Sequence, residues 1–269
     1  MSFSAALASV VNTAQSDIED IGAFASEAER MLTDKLRPKE AFTPAETKEL
    51  RAFVEALTEA LKGKRARKLE LVGSERVSKF IFQVAVPIKH RSFLAEMALS
   101  YLIAHEEAFI KDYLLQLLLH KRQLLISNAT VTHEELAAHS SIRSVWEAIA
   151  QKEVDALGYG SIDDIAQYFS KKLGIDLTRF QHWPALREHS YRRNLIIHNR
   201  GRINDIYRKK TGYKERTGRV ETDMYYVSSA VSNLSAFIRF VHLAVCAKFR
   251  LRDLTLQRNR GHGIGDRLS

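Results

Sequence analysis

Cysteine is almost absent from this 269-residue chain: Cys246 stands alone, which excludes a disulfide framework and a cysteine-based zinc site within one subunit. Only four prolines and twelve glycines occur, too few for a fibrous repeat, a long linker or general disorder. No apolar run is long and unbroken. The most hydrophobic stretch, 227–249, is interrupted by Asn233, Arg239, His242 and Lys248, a poor composition for a membrane span. The first residues have no basic leader, and the acids Asp17, Glu19 and Asp20 follow soon after. A protein of the reducing cytoplasm, with no membrane contact, is the expectation. Metal-ligand spacing is also missing: His105, Glu106, His120, His139, His182 and His189 form no H-E-x-x-H or comparable cluster. They read as surface or core residues, and neither metal nor cofactor is expected.

What the chain does have is localised positive charge. The net charge is +9, and its distribution is uneven. Between Arg187 and Arg219 eleven lysines and arginines face only Glu188, Asp205 and Glu215, a surplus of +8. The segment 62–68 carries five more cations with no acid, and 250–269 adds a surplus of +3, so the rest of the protein is acidic by −7. Clustering of this kind concentrates polyanions and is the electrostatic footprint of nucleic-acid binding, the alternative being a solvated basic face.

The pattern of apolar residues predicts an all-α protein. A helix over 1–36 would use Val10, Val11, Ile18, Ile21, Phe24 and Met31. Thr43-Pro44-Ala45-Glu46 is a capping box that starts a second helix, running through Phe53, Leu57 and Leu61 to Gly63. Residues 68–86 are rich in β-branched and aromatic side chains and predict an extended segment or short hairpin, punctuated by Pro87. A long core helix follows over 92–125. Thr132-His133-Glu134-Glu135 caps a short helix leading to Ile142, Val145, Trp146 and Ile149, and Gly160-Ser161 opens another through Ile165 and Phe169 to Gly174. Pro184 begins a helix that ends near Asn199, with Gly201 as terminator. Val227, Val231, Leu234, Ile238, Val241 and Val245 then form a regular seam on a final helix, suited to packing inside the domain or against a second subunit. Three regions are expected: a mostly helical N-terminal extension at 1–90, a helical domain at 91–250 and a basic tail at 251–269.

The chemistry concentrates in the helix that starts at Pro184. It reads Glu188-His189-Ser190-Tyr191-Arg192-Arg193-Asn194-Leu195-Ile196-Ile197-His198. Histidine moves protons near neutral pH, and arginine holds a phosphate and the charge of its transition state. On a helix, residues five apart diverge by about 140°, so Arg193 and His198 are not expected on one face, whereas Asn194 and His198 are. Glu188 and Arg192, four apart, are either a helix salt bridge or a supporting pair for the site. The run Tyr207-Arg208-Lys209-Lys210-Thr211-Gly212-Tyr213-Lys214 interleaves aromatics with cations and, with Arg200 and Arg202, suits RNA contact, the alternative being a plain solvated loop.

This pattern resembles the HEPN superfamily of α-helical ribonucleases, whose signature is arginine, a polar residue, a short apolar run and histidine on one helix. The resemblance covers residues 92–249 at most, and the first 90 residues match nothing. It implies a HEPN-like helical bundle, acting as a homodimer whose paired motif helices form one metal-free endonuclease site. His198 would assist proton transfer as a 2′-hydroxyl attacks the adjacent phosphate, Arg193 would bind that phosphate and Asn194 would orient the groups. The setting implied is a toxin or phage-defence system, with an antitoxin or defence-system partner. Relatives silenced by nucleotide transfer carry tyrosine two positions after the histidine; Arg200 stands there in this chain, which argues against that form of control. The alternative is a catalytically inactive HEPN-like module that binds RNA or a partner protein through the same basic face. A DNA-binding regulator would present a helix-turn-helix, and none is evident.

Overall fold

A computed structural model describes residues 2–34, 41–62, 74–126, 132, 138–157 and 160–255, and its regular elements are all helical. The α-helices are α1 (Phe3–Asp34), α2 (Pro44–Lys62), α3 (Glu75–His120), α4 (Ile142–Leu157), α5 (Ile162–Tyr168), α6 (Trp183–Asn199), α7 (Asp205–Thr211) and α8 (Met224–Phe249), with short helical turns at Arg122–Leu125, Phe169–Leu173 and Leu177–Arg179. Among the described residues there is no strand, only an isolated antiparallel bridge between Arg202 and Arg219. The all-α expectation is met.

The chain divides into two compact units, Phe24–Ala95 and the combination of Met1–Ala23 with Glu96–Ser269. The division differs from the expected boundary at 90, because the first part of α1 belongs with the C-terminal helices. In the smaller unit, the Thr43/Glu46 capping box forms as read: the Thr43 amide donates to Glu46 Oε2 at 2.8 Å and the Glu46 amide to Thr43 Oγ1 at 3.3 Å. Phe42 packs edge-on against Phe80 at 5.0 Å, and Arg91 pairs with Glu29 at 2.5 Å.

The larger unit holds the main core. Leu99, Leu102, Ile103, Tyr113, Leu114 and Leu117 of α3 are fully buried, as are Leu7, Val11 and Ile18 of α1. The seam on α8 packs inward at five of its six positions: Val227, Leu234, Ile238, Val241 and Val245 are at most 1% exposed, and Val231 is half-buried. By length and composition alone α8 could cross a membrane, as core helices often can.

Two expectations for the first half are corrected. The hairpin near 68–86 is not formed, since residues 75–86 belong to α3; 68–73 lie outside the described residues. Pro87 likewise falls inside α3 instead of ending an element. Strand propensity is weak and yields to context: here Val77 is 2% exposed and Phe80 meets Phe42, and the segment continues without a break into the strongly buried later part of α3. The short helix expected after Thr132 falls largely outside the described residues.

Candidate active site

The motif helix α6 is fixed at both ends by its own sequence. Pro184 occupies its first turn, and Arg200 and Gly201 both adopt left-handed conformations, with φ of 53° and 71°. The Gly201 amide returns to the Leu195 carbonyl at 2.8 Å, closing the last turn. From there the loop pairs with 218–220: the Val220 amide donates to Gly201 and the Ile203 amide to the Gly218 carbonyl, at 2.9 and 3.1 Å.

Glu188 ties α6 to the two helices that follow. Its Oε1 accepts from Arg192 Nε at 2.7 Å and from the Tyr207 hydroxyl, and its Oε2 accepts from the Tyr226 hydroxyl. Both tyrosines are placed by helix caps. Asn204 caps α7 through the Tyr207 amide at 2.9 Å, and Asp223 caps α8 through the Tyr226 amide at 2.7 Å, so each ring sits in a first turn aimed at α6. Arg192 also donates to the Glu221 carbonyl, and its guanidinium lies 4.0 Å from the Tyr226 ring centre. Asn233 donates to His189 Nε2 at 3.1 Å, which leaves the Nδ1 proton directed at the Tyr226 oxygen. Burial lowers the His189 imidazole to about 4, against the opposing charge of Glu188, so it is neutral at physiological pH. Glu188 and Arg192, read as either a helix salt bridge or a supporting pair, form that salt bridge, within a largely buried ionic junction. His189 belongs to it as a core residue.

Arg193, Asn194 and His198 line one open cleft of about 480 Å³, together with Glu107, Ser161, Ser190, Tyr191, Asn199, Asn204 and Tyr207, among others. Asn194 lies within the arc that separates Arg193 from His198 on the helix, and the cleft spans that arc. The 140° divergence therefore does not keep them out of a common site. Arg193 donates from Nη1 to Asn194 Oδ1 and from Nη2 to Glu107 Oε2, both at 3.0 Å. His198 is exposed.

Beside the cleft, Asp163 gathers cations. Arg187 binds it through Nε and Nη2 at 2.6 and 2.9 Å, and the Tyr191 hydroxyl and Lys210 ammonium each lie at 2.9 Å. Burial alone would raise this carboxyl, but the hydrogen bonds from Arg187, Lys210 and Tyr191 overcome it and hold it at about 2. Several expected RNA contacts are thereby redefined. Tyr207 is 1% exposed and has no face for a base; its hydroxyl serves Glu188. Lys210 is engaged by Asp163, and Arg208 pairs with Asp205 at 3.0 Å. Arg200, Arg202 and Lys209 are exposed.

Neither Glu107 nor Asp163 was singled out by sequence reasoning, and Glu106 was read only as a surface or core residue. Glu106 is 1% exposed, and its Oε1 has no hydrogen-bond partner among the described residues. Burial, reinforced by the charge of Glu107 and opposed by Arg193, pushes its carboxyl up to about 8. The folded protein thus holds this proton more tightly than the unfolded chain, where a glutamate titrates near about 4.3. The resulting stabilisation is complete below that value and is lost as pH rises through 8. Urea midpoints should therefore fall as pH increases across that window, and Glu106→Gln should flatten the dependence. An unchanged slope in the variant would assign the effect to other groups.

Comparison of the chain with protein-family models, with curated proteins and with solved structures found no match.

Proposed function

We propose that this chain is a metal-independent endoribonuclease of the HEPN type, cleaving RNA by attack of a 2′-hydroxyl on the adjacent phosphate. The observation that carries this reading is the convergence of Arg193, Asn194 and His198 on one open cleft next to a basic surface. Arg193 keeps guanidinium N–H groups beyond those used by Asn194 and Glu107, and these can take a phosphate. Exposed His198 supplies proton transfer. The sequence resemblance adds a homodimer, a cytoplasmic toxin or phage-defence setting and a neutralising or defence-system partner. Labelled single-stranded RNA incubated with the protein in EDTA should yield fragments ending in 2′,3′-cyclic phosphate and 5′-hydroxyl. Cleavage that depends on magnesium would refute the reading.

The path of the RNA follows from which cations are free to meet it. Neutralising Arg200, Arg202 and Lys209 together should weaken RNA binding and flatten its salt dependence by about two units, at about 0.7 unit per lost contact on a single strand. Neutralising Arg208 and Lys210, already paired with Asp205 and Asp163, should have a smaller effect. Salt titrations of binding would rank the two variants, and the reverse order would place the RNA elsewhere.

A further inference from the structure

Cleavage by a 2′-hydroxyl needs two proton transfers, one away from the attacking oxygen and one to the departing 5′-oxygen. The motif helix contributes one suitable side chain to the cleft, His198. A second histidine could come from another subunit, but the cleft already holds an acid–base group from a different helix. We propose that Glu107 of α3 is the base of the reaction and His198 its acid, so that one subunit contains the whole proton-transfer apparatus. The proposal rests on the ribonuclease reading above.

Glu107 is the remaining candidate base once the other lining groups are considered. The Tyr191 and Tyr207 hydroxyls already donate to Asp163 and Glu188, and burial raises both phenols. Ser161 is committed to the cap of α5, its hydroxyl donating to Asp164 Oδ2 at 2.8 Å. Glu107 is partly exposed, with 35% of its side chain accessible, and it faces the cleft. Its Oε2 accepts from Arg193 Nη2 at 3.0 Å, and among the described residues no hydrogen bond engages Oε1. A guanidinium that bonds a carboxylate through one edge and a phosphate through its other N–H groups sets the two acceptors side by side. That arrangement places the carboxylate next to the ribose oxygen adjoining the phosphate, where the base must act.

The groups around Glu107 are consistent with this role. Arg193 faces it from α6, with Asn194 behind, and Glu106 adjoins it on α3. His198, Tyr191 and Tyr207 complete the titratable lining, while Lys210 and Arg187 are held at Asp163. Glu106 is buried, and burial pushes its carboxyl up to about 8, so Glu107 is the solvent-accessible carboxylate at this edge of the cleft.

In the balanced step, Glu107 takes the 2′-hydroxyl proton as the 2′-oxygen bonds to phosphorus. The bond from phosphorus to the 5′-oxygen breaks, and protonated His198 supplies the proton to that oxygen. The phosphate ends as a cyclic diester and no oxidant, metal or further reactant is consumed.

Glu107→Gln keeps an acceptor for Arg193 but removes the base, and so separates catalysis from positioning. With RNA in EDTA, kcat should fall about 10²–10⁴-fold while KM is unchanged or lower. The rising limb of the pH–rate profile should disappear, and Glu107→Asp should recover part of the rate. A uridine 3′-aryl phosphodiester, whose leaving group needs no acid, should restore His198→Ala but not Glu107→Gln. Circular dichroism of each variant checks the fold, and Glu107→Asp supplies the second reading if the glutamine variant is destabilised. Wild-type kcat in Glu107→Gln, a retained rising limb, or a defect confined to KM would overturn the assignment while leaving the ribonuclease reading intact. Failure of the wild type to cleave would end both.

Discussion

Arg193→Ala and His198→Ala should each lower RNA cleavage in EDTA by two to four orders of magnitude without unfolding the protein. The estimate follows from the usual worth of a positioned proton donor and of a charge-stabilising group, each about 10²–10⁴-fold. The side chains lie in the cleft and not in the core. Arg193 is only partly buried and its ion pair with Glu107 is partly exposed, so its removal should cost stability by about 1 kcal/mol or less. The two variants should differ in one respect. Arg193→Ala should also weaken binding of RNA, because it removes a phosphate contact, whereas His198→Ala should bind nearly as tightly as the wild type. Single-turnover cleavage and direct binding measured on the same preparations would separate the effects. If both variants cleave at the wild-type rate, the cleft does not perform this chemistry.

Glu188→Ala is expected to have the largest effect on stability. It removes the acceptor for Arg192 and for two tyrosine hydroxyls at once and leaves the buried Arg192 with its charge uncompensated. Breaking one partner of a buried pair costs about 3–5 kcal/mol. Because α6, α7 and α8 meet at this carboxylate, the cleft should loosen with it and cleavage should fall secondarily. Replacing both members with apolar residues, as in Glu188→Leu with Arg192→Met, should recover a good part of the stability, since the uncompensated charge is gone. Chemical denaturation of the three variants checks the order. A loss below about 1 kcal/mol for Glu188→Ala would mean that solvent reaches the junction.

The contrast between these residues explains what the sequence can convey. Helix limits were readable where a local chemical device sets them: Thr43 with Glu46, Ser161 after Gly160, Pro184 at the start of α6 and Gly201 after its end. The inward seam of α8 was readable because its spacing matches a helix, although spacing could not say whether it met its own domain or another subunit. The segment 75–86 was misread because β-branched and aromatic residues favour strands only weakly, and its helix is supported by contacts with residues far earlier, such as Phe42. In the site, the motif residues were visible as a linear pattern. Glu107 was not, since it reaches Arg193 from 86 residues away. Tyr207 misled for a related reason: its neighbours Arg208, Lys209 and Lys210 suggest an exposed loop, yet the cap at Asn204 turns its ring inward.

Arg200 occupies a left-handed position where an ordinary side chain costs roughly 1–2 kcal/mol, and Gly201 beside it shows that the turn already has the residue best suited to such geometry. A glycine at 200 would relax the backbone but erase an exposed positive charge next in sequence to Asn199, which lines the cleft. Stability and attraction of a polyanion therefore oppose each other at a single residue: if the proposed RNA reading holds, a variant selected for heat resistance would be expected to gain glycine at 200 and to bind RNA less tightly.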